Sequence, residues 1–376
     1  MTVWAEPKFD KEAINSAGKM LVRSARENWA NWGIDDWEEY SNAIDVINNW
    51  RGSHGYPLNT FQVNLRNTCR RFEQDALIAQ RIKRLSSIRH KLDRFPSMKL
   101  SQMQDLGGCR AILSNVTNVF RVFDYYQNES SAKHIQASVD DYISAPKSSG
   151  YRGIHLVYRY FSDKKKAMYN GLKIEMQLRS RYQHAWATAV ETAGMFSGQA
   201  LKSSLGSEDW KRFFSLIGSA IALRERAPLV PDTPARSSEL FSELRHYADK
   251  LKVQDRLREY GKALRYLTDA QDGAHYYLLQ LDPKNGTLLV TGFKQNQVEL
   301  AEKTYAQAEQ LAKDKAETDA VLVSVESVTA LSRAYPNYFA DTRLFLVLLE
   351  QALSGRSRSI RLPSLKLEQL PLPLTE

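Results

Sequence analysis

Cysteine is the scarcest chemically active residue in this 376-residue chain: only Cys69 and Cys109 are present. Two thiols cannot build a disulfide framework or a four-cysteine zinc site, so a reducing compartment is expected. No apolar run reaches the length of a membrane span, and the first residues have no basic segment followed by an apolar one. A cytoplasmic location without membrane partners follows. None of the seven histidines is followed by aspartate, which removes the His-Asp dipeptide of metal-dependent phosphohydrolases. What remains is ordinary for a soluble globular chain: 43% hydrophobic and 25% charged residues, enough for two domains with a sizeable core. The formal charge of +9 favours a polyanionic partner, nucleotide or RNA, without choosing between them.

The most informative stretch is Asp141-Tyr142-Ile143-Ser144-Ala145-Pro146-Lys147-Ser148-Ser149-Gly150-Tyr151-Arg152-Gly153-Ile154-His155. A turn-forming cluster breaks two runs of β-formers and brings Lys147, Tyr151, Arg152 and His155 onto one loop and the start of a strand. Glycine lets backbone approach a ligand, the ring offers a stacking face, and the cations suit phosphate. An exposed hairpin with scattered charge is the plainer reading.

Upstream, residues 10–50 read as helical, with Trp29, Trp32, Trp37, Ile44, Ile47 and Trp50 as core anchors and Gly33 as punctuation. Residues 58–92 read as one long helix. Ile82, Leu85, Ile88 and Leu92 fall on one side, and Lys83, Ser87 and Lys91 form a cationic ridge with a hydroxyl on the other. Asp105 opens an apolar strand at residues 106–113, a position shared by metal ligands and plain turn residues. Residues 116–128 suggest an amphipathic helix and 154–161 a strand, followed by the basic turn Lys164-Lys165-Lys166, a solvated loop or an RNA contact. Over 172–179 the alternation is clean: Leu172, Ile174, Met176 and Leu178 inward, Lys173, Glu175, Gln177 and Arg179 outward.

A proline-rich linker at 228–238 separates a C-terminal region. There, a helix over 238–270, a hairpin with its turn at 282–286, a helix over 297–317, a strand over 320–326 and an apolar helix over 341–353 are expected. The organisation expected is an N-terminal helical region 1–54, a catalytic domain 55–227, the linker, a C-terminal domain 239–353 and a loose tail 354–376.

Four blocks, ordered along the chain as in the family, resemble the RelA/SpoT alarmone synthetase family. The Asp141–His155 loop resembles its DYIxxPKxSGYRGIH segment; residues 81–91 resemble RxKxxxSIxxK, 105–111 DLxGxRI, and 175–180 EIQ(I/L)R(T/S). The helix at 186–191 matches WAxxxE, with Trp186 read as packing. The resemblance implies an α+β fold: a mixed β-sheet nucleotidyltransferase-like domain flanked by helices, plus a small α+β C-terminal domain. It implies pyrophosphate transfer from ATP. Adenine would lie between Arg81 and Arg110, the phosphates on Lys83, Ser87 and Lys91, and Mg²⁺ on Asp105 and Glu175, the catalytic carboxylates. Lys147, Tyr151, His155 and Gln177 would hold the acceptor. One departure is Gly153, where many housekeeping members carry serine; this form is closer to toxic small synthetases.

The C-terminal region resembles the antitoxin domain of fused CapRel-type proteins, a degenerate zinc-finger-like module whose YxxY element covers the ATP site. Tyr335 and Tyr338 are the matching, autoinhibitory residues. The resemblance therefore implies transfer to the 3′-hydroxyl of tRNA, inhibiting translation. Restraint would come in cis from the C-terminal domain until a partner such as a phage protein releases it. No DNA partner is expected. The alternatives are a (p)ppGpp synthetase acting on GDP or GTP with a regulatory extension, and a non-catalytic RNA-binding protein.

Overall fold

A computed structural model describes residues 4–27, 31–130, 133–197, 208–263, 265–268, 274–282, 285–313, 319–325, 328–339 and 341–354. Its frame is a single nine-stranded mixed sheet in the order β3-β4-β5-β2-β1-β9-β7-β8-β6. The strands are β1 Leu77–Ile82, β2 Gly107–Leu113, β3 Ile135–Asp141, β4 Ile154–Arg159, β5 Lys173–Ser180, β6 Arg265–Thr268, β7 Tyr276–Asp282, β8 Thr287–Phe293 and β9 Asp319–Ser324. The mixed α+β architecture agrees with the expected class. β2 and β5 run parallel; β1, β4 and β9 join antiparallel neighbours.

The helices are α1 Lys11–Arg26, α2 Ile34–Gly52, α3 Gly55–Arg70, α4 Leu85–Arg94, α5 Val116–Asn128, α6 Arg181–Ser197, α7 Glu208–Glu225, α8 Ser237–Lys250, α9 Val253–Ala263, α10 Val298–Lys313, α11 Val328–Ala334 and α12 Arg343–Leu353. Their starts follow local chemistry: Asp10 accepts from the Ala13 amide to cap α1, and Asn115 accepts from Asn118 to cap α5.

The expected helix over 58–92 is wrong in its middle. It divides into α3, β1 and α4, and Leu77 to Ile82 pair in full register with β2. Strand β1 is covered on both faces: Ile78 joins one core and Ala79 another. A short run covered on both sides lacks the alternation that separates strand from helix. The amphipathic reading survives only within α4, where Leu85, Ile88 and Leu92 are buried. The helix expected over 238–270 likewise breaks, at Lys252, whose φ of 49° is left-handed, and ends before β6; Ala270 lies outside the described residues. Of the tryptophans, Trp29 also lies outside them, and Trp37 is 43% exposed, stacking edge-on against Trp32 at 5.0 Å instead of entering the core. Ile44 and Ile47 are buried as expected.

One face of the sheet is closed by α3 and α5 over Leu172, Ile174, Met176 and Leu178, all buried. The opposite face carries the polar residues of β5 and is flanked by α6 and α11. The C-terminal strands do not form a separate sheet: β9 pairs with β1 through Gln80↔Ser324 and Arg81↔Val323.

Candidate active site

The outward face of β5 and its neighbours opens into a cavity of about 690 Å³, lined among others by Arg81, Lys83, Asp105, Arg110, Lys147, Tyr151, His155, Glu175, Gln177 and Arg179. The register explains the convergence. His155 of β4 lies opposite Gln177 of β5, and Arg110 of β2 lies opposite the same residue on the other side. The 58–92 misreading therefore does not scatter the residues drawn from it: Arg81 ends a strand, and Lys83 leads into α4.

At one end, Asp105 is clasped by two ammonium groups, Lys83 Nζ at 2.7 Å and Lys91 Nζ at 2.9 Å, one on each oxygen. Burial alone would raise the Asp105 pKa, but these cations hold it far below the carboxylate range. Burial pulls Lys83 below its usual value despite Asp105. Ser87 sits half-buried on the same helix, outside the cavity lining.

At the centre, Glu175 accepts from His155 Nδ1 at 2.9 Å and from Gln177 Nε2 at 2.7 Å. His155 Nε2 lies 2.5 Å from the Tyr151 hydroxyl, which also accepts from Arg179 at 2.8 Å. Burial would lower the His155 pKa, yet Tyr151 and Glu175 raise it to about 9. Burial would raise Glu175, and the His155 bond brings it below the usual value instead. Arg179 also bonds Gln177 and lies 5.0 Å from the Tyr151 ring. It is a site residue the sequence reading left as one of an alternating series, although the same outward pattern contained it.

The loop bearing Lys147 and Tyr151 is fixed by close packing. A Cβ on Gly150, at φ 92°, would lie 2.6 Å from the Phe214 carbonyl and 2.9 Å from Trp186. Trp186 is buried and donates to the Phe214 carbonyl, which supports its packing role, though it also lines the cavity. Arg152 turns away into a buried ion pair with Glu225 at 2.9 Å. Lys147 lies over the Tyr142 ring at 4.0 Å.

The third group comes from the C-terminal region. The Arg110 guanidinium lies 4.8 Å from the Tyr335 ring, and the Tyr335 hydroxyl donates to the Gln80 carbonyl at 2.9 Å. Arg84 donates to the Tyr338 hydroxyl at 2.8 Å. Both tyrosines are 1% exposed, and burial raises their pKa values against the pull of the neighbouring arginines. Arg84, Lys211 and Arg212 belong to this neighbourhood as well and carried no motif in the sequence, and Glu191, the glutamate of the WAxxxE match, joins them.

The sequence family described as a region found in RelA/SpoT proteins matches residues 80–197, which span β2 to β5 and the end of β1. This segment is a RelA/SpoT region. This match supports a pyrophosphokinase that uses ATP. The chain is similar to several solved structures. A GTP pyrophosphokinase family protein from Streptococcus pneumoniae is 22% identical, over 51% of this chain and 89% of that one, with a TM-score of 0.37. Small alarmone synthetase 1 from Bacillus subtilis, bound to its product pppGpp, is 20% identical over 54% and 93%, with a TM-score of 0.35. Small alarmone synthetase 2 from the same organism is 20% identical over 48% and 88%, with a TM-score of 0.35. No curated protein matches the chain. Among the described residues, no helix is long and apolar enough to cross a membrane.

Proposed function

We propose that the chain transfers pyrophosphate from ATP to the 3′-hydroxyl of tRNA, and that its C-terminal region restrains this reaction in cis. The observation that carries the restraint is the seating of Tyr335 on Arg110, the arginine to which the RelA/SpoT resemblance assigns one side of adenine. A ring already stacked there competes with a nucleobase for the same face. Arg81, on the adjacent strand, has its charge favoured by Glu191, Tyr335 and Tyr338 against a strong burial penalty.

Lys83 and Lys91 are the phosphate-holding groups of this reading, with Ser87 beside them on α4. In the closed chain both spend their charge on Asp105. Incoming phosphates take over the lysines and free the carboxylate. Asp105 raises the proton affinity of Glu175; two oxygen-donor carboxylates facing a phosphate site suit Mg²⁺, which would neutralise phosphate charge there. Glu175, oriented by His155 and Gln177, receives the proton of the acceptor hydroxyl as that oxygen attacks the β-phosphorus and AMP departs. Tyr151 and Lys147 hold the acceptor base and phosphate.

The net charge and Gly153 support tRNA as the acceptor. At φ 154°, a Cβ on Gly153 would press within 3.3 Å of the Tyr151 hydroxyl and 3.2 Å of Arg179. The serine of housekeeping relatives would therefore disturb this acceptor cluster. A cavity of about 690 Å³ also suits a mononucleotide, which favours GDP or GTP as the second reading. Release of the restraint would come from a partner such as a phage protein, making the chain an antiphage translation inhibitor. The test offers ATP labelled on its terminal phosphates to the full chain carrying Tyr335→Ala and Tyr338→Ala, with bulk tRNA, GDP and GTP in parallel. Label on tRNA supports the first reading, and label on guanine nucleotides the second.

A further inference from the structure

A second concavity of about 1,020 Å³ lies outside the active site, where the start of α1, the end of α2 and the β4–β5 connection meet. Lys11, Lys99, Arg159 and Lys173 line it, against the single carboxylate of Asp10, which is engaged in capping α1. No carboxylate among the described residues pairs with Lys11, Lys99 or Arg159. Lys173 donates to the Gln102 carbonyl at 3.2 Å, and its pKa is lowered by burial and by the repulsion of Arg159 and Lys11. Four cations gathered against one capping carboxylate are stabilised by an anion that spans them.

Apolar surface is interleaved with this charge. Phe9 is 39% and Met168 46% exposed at the groove, and Trp50 contributes part of its wall. Cations alternating with an exposed ring are the arrangement that holds single-stranded nucleic acid, phosphates on the charges and a base on the ring. The exposed Lys164 and Lys165 stand in the turn just before Met168, adding to the same field.

The groove lies at the start of the strand that carries the active-site carboxylate. Lys173 precedes Glu175 by two residues on the same face of β5, and Arg159 lies opposite Lys173 as His155 lies opposite Gln177. An acceptor whose terminal hydroxyl reacts at Glu175 meets Lys173 and Arg159 one step, roughly 7 Å, along the strand.

We propose that this groove is the binding path of an RNA acceptor, its phosphates lying along Lys11, Lys99, Arg159 and Lys173 and one base stacking on Phe9. The occupant rests on the tRNA reading above; the groove's own test does not require transfer. Bulk tRNA binding is measured at several salt concentrations for the full chain, in the wild type and in the Tyr335→Ala chain. Each is compared with the Lys11→Glu/Arg159→Glu double variant and with Phe9→Ala. The double variant is expected to bind at least tenfold more weakly, with a log–log salt slope shallower by about 1.5 to 2, as two lost phosphate contacts require. Phe9→Ala weakens binding about fivefold or more with the slope unchanged. The same charge change at Lys303, on the exposed side of α10, has a smaller effect, and unchanged melting temperatures show that all variants fold.

Unaltered affinity and slope in both groove variants overturn the proposal, as does absence of tRNA binding by both parent chains. If label passes to tRNA while groove variants bind it normally, the groove fails and the acceptor reading stands. If tRNA binding depends on the groove but no label reaches tRNA, the groove stands and the acceptor reading fails.

Discussion

Tyr335 places its ring 4.8 Å from the guanidinium of Arg110 while its hydroxyl bonds the Gln80 carbonyl, joining the C-terminal region to β2 and β1 at once. If this contact blocks the ATP site, removing it raises activity. The full-length Tyr335→Ala/Tyr338→Ala chain is expected to transfer label at least tenfold faster than wild type at low ATP, with a lower KM for ATP. Tyr338→Phe, which loses the Arg84 bond and keeps the ring, has a smaller effect. Steady-state kinetics at varied ATP check both.

The carboxylates supply a second test. In the released background, Asp105→Asn and Glu175→Gln each lower kcat by about 10²- to 10³-fold, the scale for removing one preorganised electrostatic group. Arg84→Ala, which touches the module and not the acceptor cluster, should instead raise activity in the wild-type background. Equal losses in all three variants would mean general damage.

Glu309 offers a third. It accepts from Arg51 at 2.8 Å, from Tyr305 at 2.7 Å and from the Leu85 amide at the start of α4 at 2.7 Å. The Arg51 and Glu309 side chains are 4% and 8% exposed. Glu309→Ala strands a buried guanidinium and is expected to cost about 3 kcal/mol. Thermal denaturation reads the loss, and basal transfer rises as the C-terminal region loosens from α4.

A pH dependence follows from Glu302, whose carboxyl is raised by burial to about 7 from 4.5, Arg51 partly opposing the shift. The folded chain holds this proton more tightly than the unfolded chain. Its contribution is therefore full below pH 4.5 and lost as pH rises to about 7. Discounted for partial exposure, the loss is about 2 kcal/mol. Glu302→Gln flattens this part of the stability curve, measured by denaturant unfolding at pH 5 and pH 8.

Gly153→Ser tests the acceptor cluster. Its left-handed φ and the crowding from Tyr151 and Arg179 predict a drop in transfer of about tenfold, with ATP affinity unchanged.

The site was more legible than the fold around it. Alternation along β5 separated Glu175 and Gln177 from the core because one face of that strand is buried and the other is wet. The loop at Lys147 and Tyr151 announced itself through glycine and proline. Strand β1 stayed hidden because both its faces are covered, so its sequence carries no period. Arg179 was visible as an outward residue, but its bonds to Tyr151 and Gln177 arise only when β4 and β5 pair. The union of β9 with β1 lies between residues more than two hundred positions apart, and nothing local encodes it. That union also argues against testing the chain by truncation near residue 235, which would strip the partner from the β1 edge.

The most direct measurement follows label from the terminal phosphates of ATP in the full chain, wild type against Tyr335→Ala/Tyr338→Ala, with tRNA, GDP and GTP offered together. The account predicts label on the tRNA 3′ end, strong in the variant and weak in the wild type. Equal labelling by the two chains would contradict the restraint, and label confined to guanine nucleotides would contradict the acceptor.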